Sequence, residues 1–323
     1  MRRRSFLVAG MLAPMASAFA QQRPARIGLL LPFPFATLRT APSGAVIRRL
    51  EELGYRNGAG AVFEPRSSDG VAERYPRLAR ELVELKCDVI FSLGPEAGVR
   101  ALREATSTVP IVFLAVDFDP LEKGVVASLR RPGANVTGVF VPTLGLAAKR
   151  LEIAQEVMPA ARVFLVLADV HTRDQLAALH KAAEMRGARL RVAELGQPPY
   201  DYAPAFKSAR QAGVQFLLGL GSPVFFAERA KIAAQLQGER VPAVGVSPPF
   251  ADAGYLLSYG ADLAKLGVRS AELIVRILRG AKPADLPVEQ ADEFELVVNL
   301  KTANALNLKI PYSVLARATK VIE

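Results

Sequence analysis

With 323 residues, 51% apolar and 22% charged, the chain can bury two cores of ordinary domain size and is too hydrophobic to be disordered. Its formal charge of +10 is interspersed with acids, as in Arg48-Arg-Leu-Glu-Glu52 and Arg100-Ala-Leu-Arg-Glu104, the pattern of solvated helix faces. No basic stripe, zinc-finger spacing or RNA-binding aromatic run occurs, which excludes nucleic acid as the expected partner, and the absence of Trp leaves aromatic recognition to Phe and Tyr.

Residues 1–20 read as a signal peptide. Met1-Arg-Arg-Arg4 is a positive start, Phe6 to Phe19 an apolar stretch, and Ala18-Phe-Ala20 a cleavage site before Gln21. Arg3-Arg4-Ser5-Phe6-Leu7 also fits a twin-arginine signal, so both that route and general secretion stay open. With no Cys at the cleavage site and no later uncharged run of spanning length, the expectation is a soluble periplasmic protein without a lipid anchor.

Two stretches of similar build follow, each with strands alternating with helices. In the first, strands are expected at Arg26–Leu31, Ala61–Glu64, Asp88–Gly94 and Val109–Val116, with helices near Ser43–Leu53, Arg74–Lys86 and Pro95–Ala105. Cys87, the only cysteine, opens a buried strand and is expected to be an inert apolar side chain. Val136–Val141 reads as a strand leaving this half. In the second, helix Leu146–Val157 precedes strands at Arg162–Leu167, Ala188–Val192, Gln215–Gly221 and Val241–Val246. Helices are expected between them at Gln175–Arg186, Tyr202–Ala212 and Phe225–Leu236. Helix Asp262–Arg279 and strand Glu293–Asn299 exceed the second repeat, so the chain is expected to cross back. Continuous apolar strands joined by helices predict an α/β fold: two Rossmann-like lobes, each a parallel sheet flanked by helices. The expected division is 24–138 plus 260–296 for one lobe and 139–259 plus 297–323 for the other.

In such sheets ligands bind beyond the carboxyl ends of the strands. That rule selects Phe33, Ser92, Gly94, Glu96 and Asp117 from one lobe and Thr143, His171, Ser222, Phe225 and Ser247 from the other as expected ligand-binding residues. Gly94 and Gly221 either bring backbone close to a ligand or only permit tight turns. Asp117-Phe-Asp119 fits a partner for a ligand amine, a helix cap or, in an exported hydrolase, a catalytic pair. His180 falls mid-helix and reads as a surface residue. Gly219-Leu-Gly221 begins like a dinucleotide loop, but no third glycine follows in the run through Phe225 and Phe226. No P-loop, nucleophile elbow or metal-ligand spacing occurs; no catalytic residue, metal or cofactor is expected.

Several segments resemble ABC-transporter substrate-binding proteins of the branch that includes tryptophan-binding components. They are Leu50-Glu-Glu-Leu-Gly-Tyr55, Ala105–Phe113, Arg131-Pro-Gly-Ala-Asn-Val-Thr-Gly138, Ser258-Tyr-Gly260, Gly280–Gln290 and Phe294–Ala303, and the likeness spans essentially the whole mature chain. The resemblance implies the type I periplasmic-binding fold, three crossing segments and hinge closure on a small organic solute, an amino acid or related carboxylate. It also implies a membrane permease with its cytoplasmic ATPase as partners of a monomer. A sensory module docking a membrane receptor remains the alternative. The chain departs from the family pattern at Pro95-Glu96 and Asp169-Val-His-Thr172, where selectivity would be set; Glu96 and Asp119 there favour a ligand with a cationic group.

Overall fold

The computed structural model describes residues 23–40 and 44–323; the expected signal peptide lies outside the described residues. The two like-built stretches form two sheets. The first runs, from edge to edge, Glu289–Gln290, Val136–Phe140, Ile111–Ala115, Val89–Gly94, Ala25–Leu31, Gly60–Ser67 and Arg56–Asn57, with every pairing parallel. The second runs Lys320–Ile322, Glu295–Asn299, Leu257–Gly260, Ala243–Gly245, Phe216–Leu218, Val163–Ala168 and Arg189–Glu194. It is parallel except where Glu295–Asn299 runs against Leu257–Gly260.

Successive residues of the central strands serve opposite cores, which is why these strands read as unbroken apolar runs. Ile27, Leu29 and Leu31 join Phe91 and Leu93 under one helical layer, while Leu30, Ile90, Ile111 and Phe113 face the other. In the second sheet Phe164 and Val166 pack with Phe216 and Leu218, and Leu165 and Leu167 with Tyr202, Phe206 and Phe225. Cys87 is buried in the first sheet's core beside Leu82 and Ile90.

The chain passes between the sheets three times: between Phe140 and Thr143, between Gly260 and Leu263, and between Gln290 and Glu295. Helix Leu263–Leu278 returns to the first sheet, packing on helix Ala45–Glu52 and strands Val89–Gly94, Ile111–Ala115 and Val136–Phe140. Its return is fixed by Thr137 Oγ1 donating to the Leu286 carbonyl at 2.8 Å and by the Ala291 N–H on the Phe140 carbonyl at 2.8 Å. The expected cuts at 138/139 and 296/297 fall inside strands Val136–Phe140 and Glu295–Asn299, each of which stays whole in one sheet.

One expected helix is two. Ser222 caps Pro223–Ala227, its Oγ accepting the Val224 N–H at 3.2 Å, and Glu228 interrupts before Arg229–Glu239. Glu228 is held there because Tyr202 OH donates to its Oε2 at 2.6 Å.

Candidate functional site

In the first sheet Ala25–Leu31 lies between its two crossover partners, Gly60–Ser67 and Val89–Gly94, so the loops after Leu31 and Gly94 part and leave a crevice. Val163–Ala168 occupies the same place in the second sheet, between Arg189–Glu194 and Phe216–Leu218. The two crevices face each other and the lobes touch across them. A Cβ on Gly94 would stand 3.2 Å from Pro32 Cγ and 3.6 Å from Pro223 Cγ of the other lobe. One on Gly70 would stand 3.0 Å from Val224 Cγ2, and one on Gly221 3.3 Å from the Val116 carbonyl. At the rim Lys123 Nζ meets Asp174 Oδ2 across the gap at 2.6 Å.

Between the lobes lies a cavity; the space between its walls is about 620 Å³ when the open solvent at its mouth is included. Pro32, Phe33, Leu93 and Val116 wall it from the first lobe, Pro223, Phe226 and Val246 from the second, and Val141, Ala261 and Leu263 from the crossing segments. Of the expected ligand-binding residues, Phe33, Gly94, Thr143, Ser222 and Ser247 line this cavity. Thr143 is not a loop residue, as the pattern implied, but the first residue of helix Thr143–Val157. Gly94 has φ +104, a conformation that side chains rarely adopt, and this turn brings strand and helix together beside Pro32.

The other expected residues lie elsewhere. Ser92 is buried, its Oγ 3.1 Å from where a Gly98 Cβ would stand, and does not line the cavity. Phe225 also turns away, its ring 5.9 Å from Tyr200 and 6.4 Å from Tyr202. The ring on the cavity wall is Phe226, which meets Phe250 edge to face at 5.9 Å and lies under the Arg229 guanidinium. Glu96, Asp117 and His171 line a second hollow at the cleft mouth, together with Lys123 and Asp174.

At that mouth His171 Nδ1 reaches across to Asp117 Oδ2 at 3.9 Å. Both side chains are buried, and Asp117 Oδ1 and His171 Nε2 have no hydrogen-bond partner. Burial above all, then the charges of Asp169 and Glu96, pushes the Asp117 carboxyl up to about 8. Burial lowers the His171 imidazole, opposed by the nearby Asp169 charge. Asp169 itself is fully engaged, accepting from Ser222 Oγ at 2.5 Å, Tyr200 OH at 3.3 Å and the His171 N–H at 3.0 Å. Asp119 Oδ1 caps a turn, accepting the Leu121 and Glu122 N–H groups. Among the described residues no group of three or more His, Cys, Asp or Glu is placed to hold a metal ion.

The residue that sequence reasoning missed is Arg150. Among the described residues it is the one charged side chain on the cavity wall, and only 2% of it is exposed. Its Nε donates to the Tyr259 carbonyl at 2.9 Å and its Nη1 to the Gly219 carbonyl at 3.3 Å. Burial lowers its pKa to about 9, and among the described residues no carboxylate pairs with it. The signal was present: Leu146, Ala147, Leu151 and Ala154 mark the buried face of helix Thr143–Val157, and Arg150 interrupts that stripe.

A family model described as ABC transporter substrate binding protein matches residues 37–322. A tyrosine-binding protein of Clostridioides difficile is 26% identical over 266 residues, covering 81% of this chain and 75% of that protein. Among solved structures, an ABC domain from Streptococcus pneumoniae in complex with L-Trp superimposes with a TM-score of 0.78 at 24% identity, covering 93% of this chain and all (100%) of that one. The ligand-free, open structure of a Clostridium difficile substrate-binding protein with adhesive properties superimposes with a TM-score of 0.62 at 22% identity, covering 92% of this chain and 99% of that one.

Proposed function

Because this chain belongs to the family of ABC transporter substrate binding proteins, we propose that it is the exported solute receptor of an importer for an aromatic amino acid or a related aromatic carboxylate. The observation that carries the reading is the cavity between the facing crevices, apolar on both broad walls and polar only at a few points. Pro32 and Phe33 on one side and Pro223 and Phe226 on the other give a planar ring apolar faces to lie against. The likeness to a tyrosine-binding protein supports the aromatic class. No catalytic step is involved. The solute binds while the lobes are apart, and closing about the three crossing segments buries it. A permease would then read the closed form, in which Lys123–Asp174 and Asp117–His171 meet across the rim. The leader expected at 1–20 would deliver the chain to the periplasm, where it would act as a monomer.

Ligand binding to the folded state raises the melting temperature by mass action, by about 2.7 kcal/mol of stability at a hundredfold excess over Kd. A thermal-shift screen of the twenty amino acids and their desamino acids should pick out aromatic members. A screen in which aliphatic members alone raise the melting temperature would overturn the aromatic class, and one in which none does would overturn the solute-receptor reading.

A further inference from the structure

An arginine buried without a counter-ion is expensive. Moving a cation into a poorly polarisable interior costs several kcal/mol unless an anion and hydrogen bonds compensate it, so buried charges are ordinarily paired. Arg150 is buried, and the two carbonyls it meets satisfy donors without neutralising its charge. Those carbonyls, of Tyr259 and Gly219, lie at the carboxyl ends of two strands of the second sheet, and they fix the plane of the guanidinium. Its Nη2 has no acceptor among the described residues. This nitrogen sits 3.4 Å from where a Gly260 Cβ would stand, so the missing side chain leaves it room.

The neighbours of Arg150 on the cavity wall point the same way. Ser247 Oγ is buried, lines the same cavity and has no hydrogen-bond partner. Thr143 opens a helix of fifteen residues at the cavity, with Pro142 at its N-cap, so no side chain satisfies the first N–H groups there. A cation, a free hydroxyl and an uncapped helix start border one largely apolar space, and among the described residues no acidic one lines it.

We propose that Arg150 is the anion anchor of the cleft: the carboxylate of the solute docks on its free Nη2 edge with Ser247 Oγ as second donor, while the apolar walls take the rest. The proposal rests on the reading of this cavity as the solute site and makes it more specific. The carboxylate is the obligatory feature of the ligand, and the amino group is dispensable. Desamino acids therefore bind, and decarboxylated amines do not. Arg150 is also an element of fold, through its two carbonyl bonds, and the test must separate the two roles.

Isothermal titration of the full mature chain would use matched probes: L-tyrosine, 3-(4-hydroxyphenyl)propionate and tyramine, and the corresponding leucine, 4-methylpentanoate and 3-methylbutylamine. For the skeleton that binds, the amino acid and desamino acid should bind within about tenfold of each other. The amine should be weaker by on the order of 100-fold, the usual consequence of leaving one partner of a buried charge pair alone. Arg150→Met should weaken the carboxylate probes by on the order of 100-fold, and Arg150→Lys and Ser247→Ala by less. Should Arg150→Met not fold, the wild-type comparison and Ser247→Ala decide. Amine binding as tight as that of the matched carboxylate overturns the proposal, as does undiminished binding by a folded Arg150→Met. So does a screen in which no carboxylate probe binds. Carboxylate binding confined to the leucine series would overturn the aromatic reading and leave the anchor standing.

Discussion

Replacing Asp117 by Asn tests whether the closed cleft holds an un-ionised carboxyl. Asp117 Oδ1 is buried without a hydrogen-bond partner, and Oδ2 faces His171 Nδ1 across the gap at 3.9 Å, an imidazole itself biased against its charge by burial. The carboxyl is pushed from 3.8 to about 8. A carboxyl whose folded pKa is raised contributes stability that is whole below its unfolded value. That contribution is lost as pH rises through the folded one, here between about 4 and about 8. At about 1.4 kcal/mol per pH unit, complete ionisation would cost on the order of 5 kcal/mol. This is a ceiling, because parting the lobes returns Asp117 to water, and the loss stops at the free energy of opening. His171 has the opposite sign: its lowered pKa gives stability present above about 6.5 and lost as pH falls. Urea unfolding and small-angle X-ray scattering of the ligand-free protein from about pH 6.5 to about pH 9 isolate the carboxyl. The wild type should lose stability or expand by an amount that Asp117→Asn does not share. Parallel pH profiles with unchanged radii of gyration would refute the reasoning.

Three further outcomes follow from the geometry. Gly94→Ala forces a side chain into φ +104 beside Pro32 and Pro223, costing about 1–3 kcal/mol, and should lower the melting temperature by several degrees; an unchanged melting curve would contradict the strain. The half-exposed Lys123–Asp174 pair is worth at most about 1 kcal/mol, so Lys123→Ala should weaken solute binding by no more than about fivefold, an effect that vanishes in high salt. Burial pushes the Cys87 thiol up to about 11, so iodoacetamide near pH 8 should label the protein only once it is unfolded; prompt labelling of the native chain would contradict its burial.

The sheets were legible because both faces of their strands are buried, which writes Ile27–Leu31 and Val163–Leu167 as unbroken apolar runs. The rule that ligands lie beyond strand carboxyl ends located Phe33, Gly94, Thr143, Ser222 and Ser247 on the cavity, because it needs only strand direction. Choosing between Phe225 and Phe226 needs more. Adjacent residues on a helix point about 100° apart, so the phase of the five-residue turn that Ser222 and Pro223 start decides which ring meets the cavity. Arg150 was hidden by its chemistry, since an arginine in a helix reads as solvated until its apolar neighbours at three and four residues are counted. The approach of Asp117 to His171 depends on how the lobes meet, and nothing local to either segment encodes that.

The triple passage between sheets also bears on when the native state can form. Thr137 is tied to Leu286, 149 positions later, and the second sheet gains its last two strands from Glu295–Asn299 and Lys320–Ile322. Neither half can therefore finish its structure from a contiguous stretch while the polypeptide is still emerging from the ribosome. Distant pairing of this kind slows folding, and it leaves nearly the entire chain synthesised before either hydrophobic interior is sealed, a kinetic interval in which a chaperone meets an unfinished molecule.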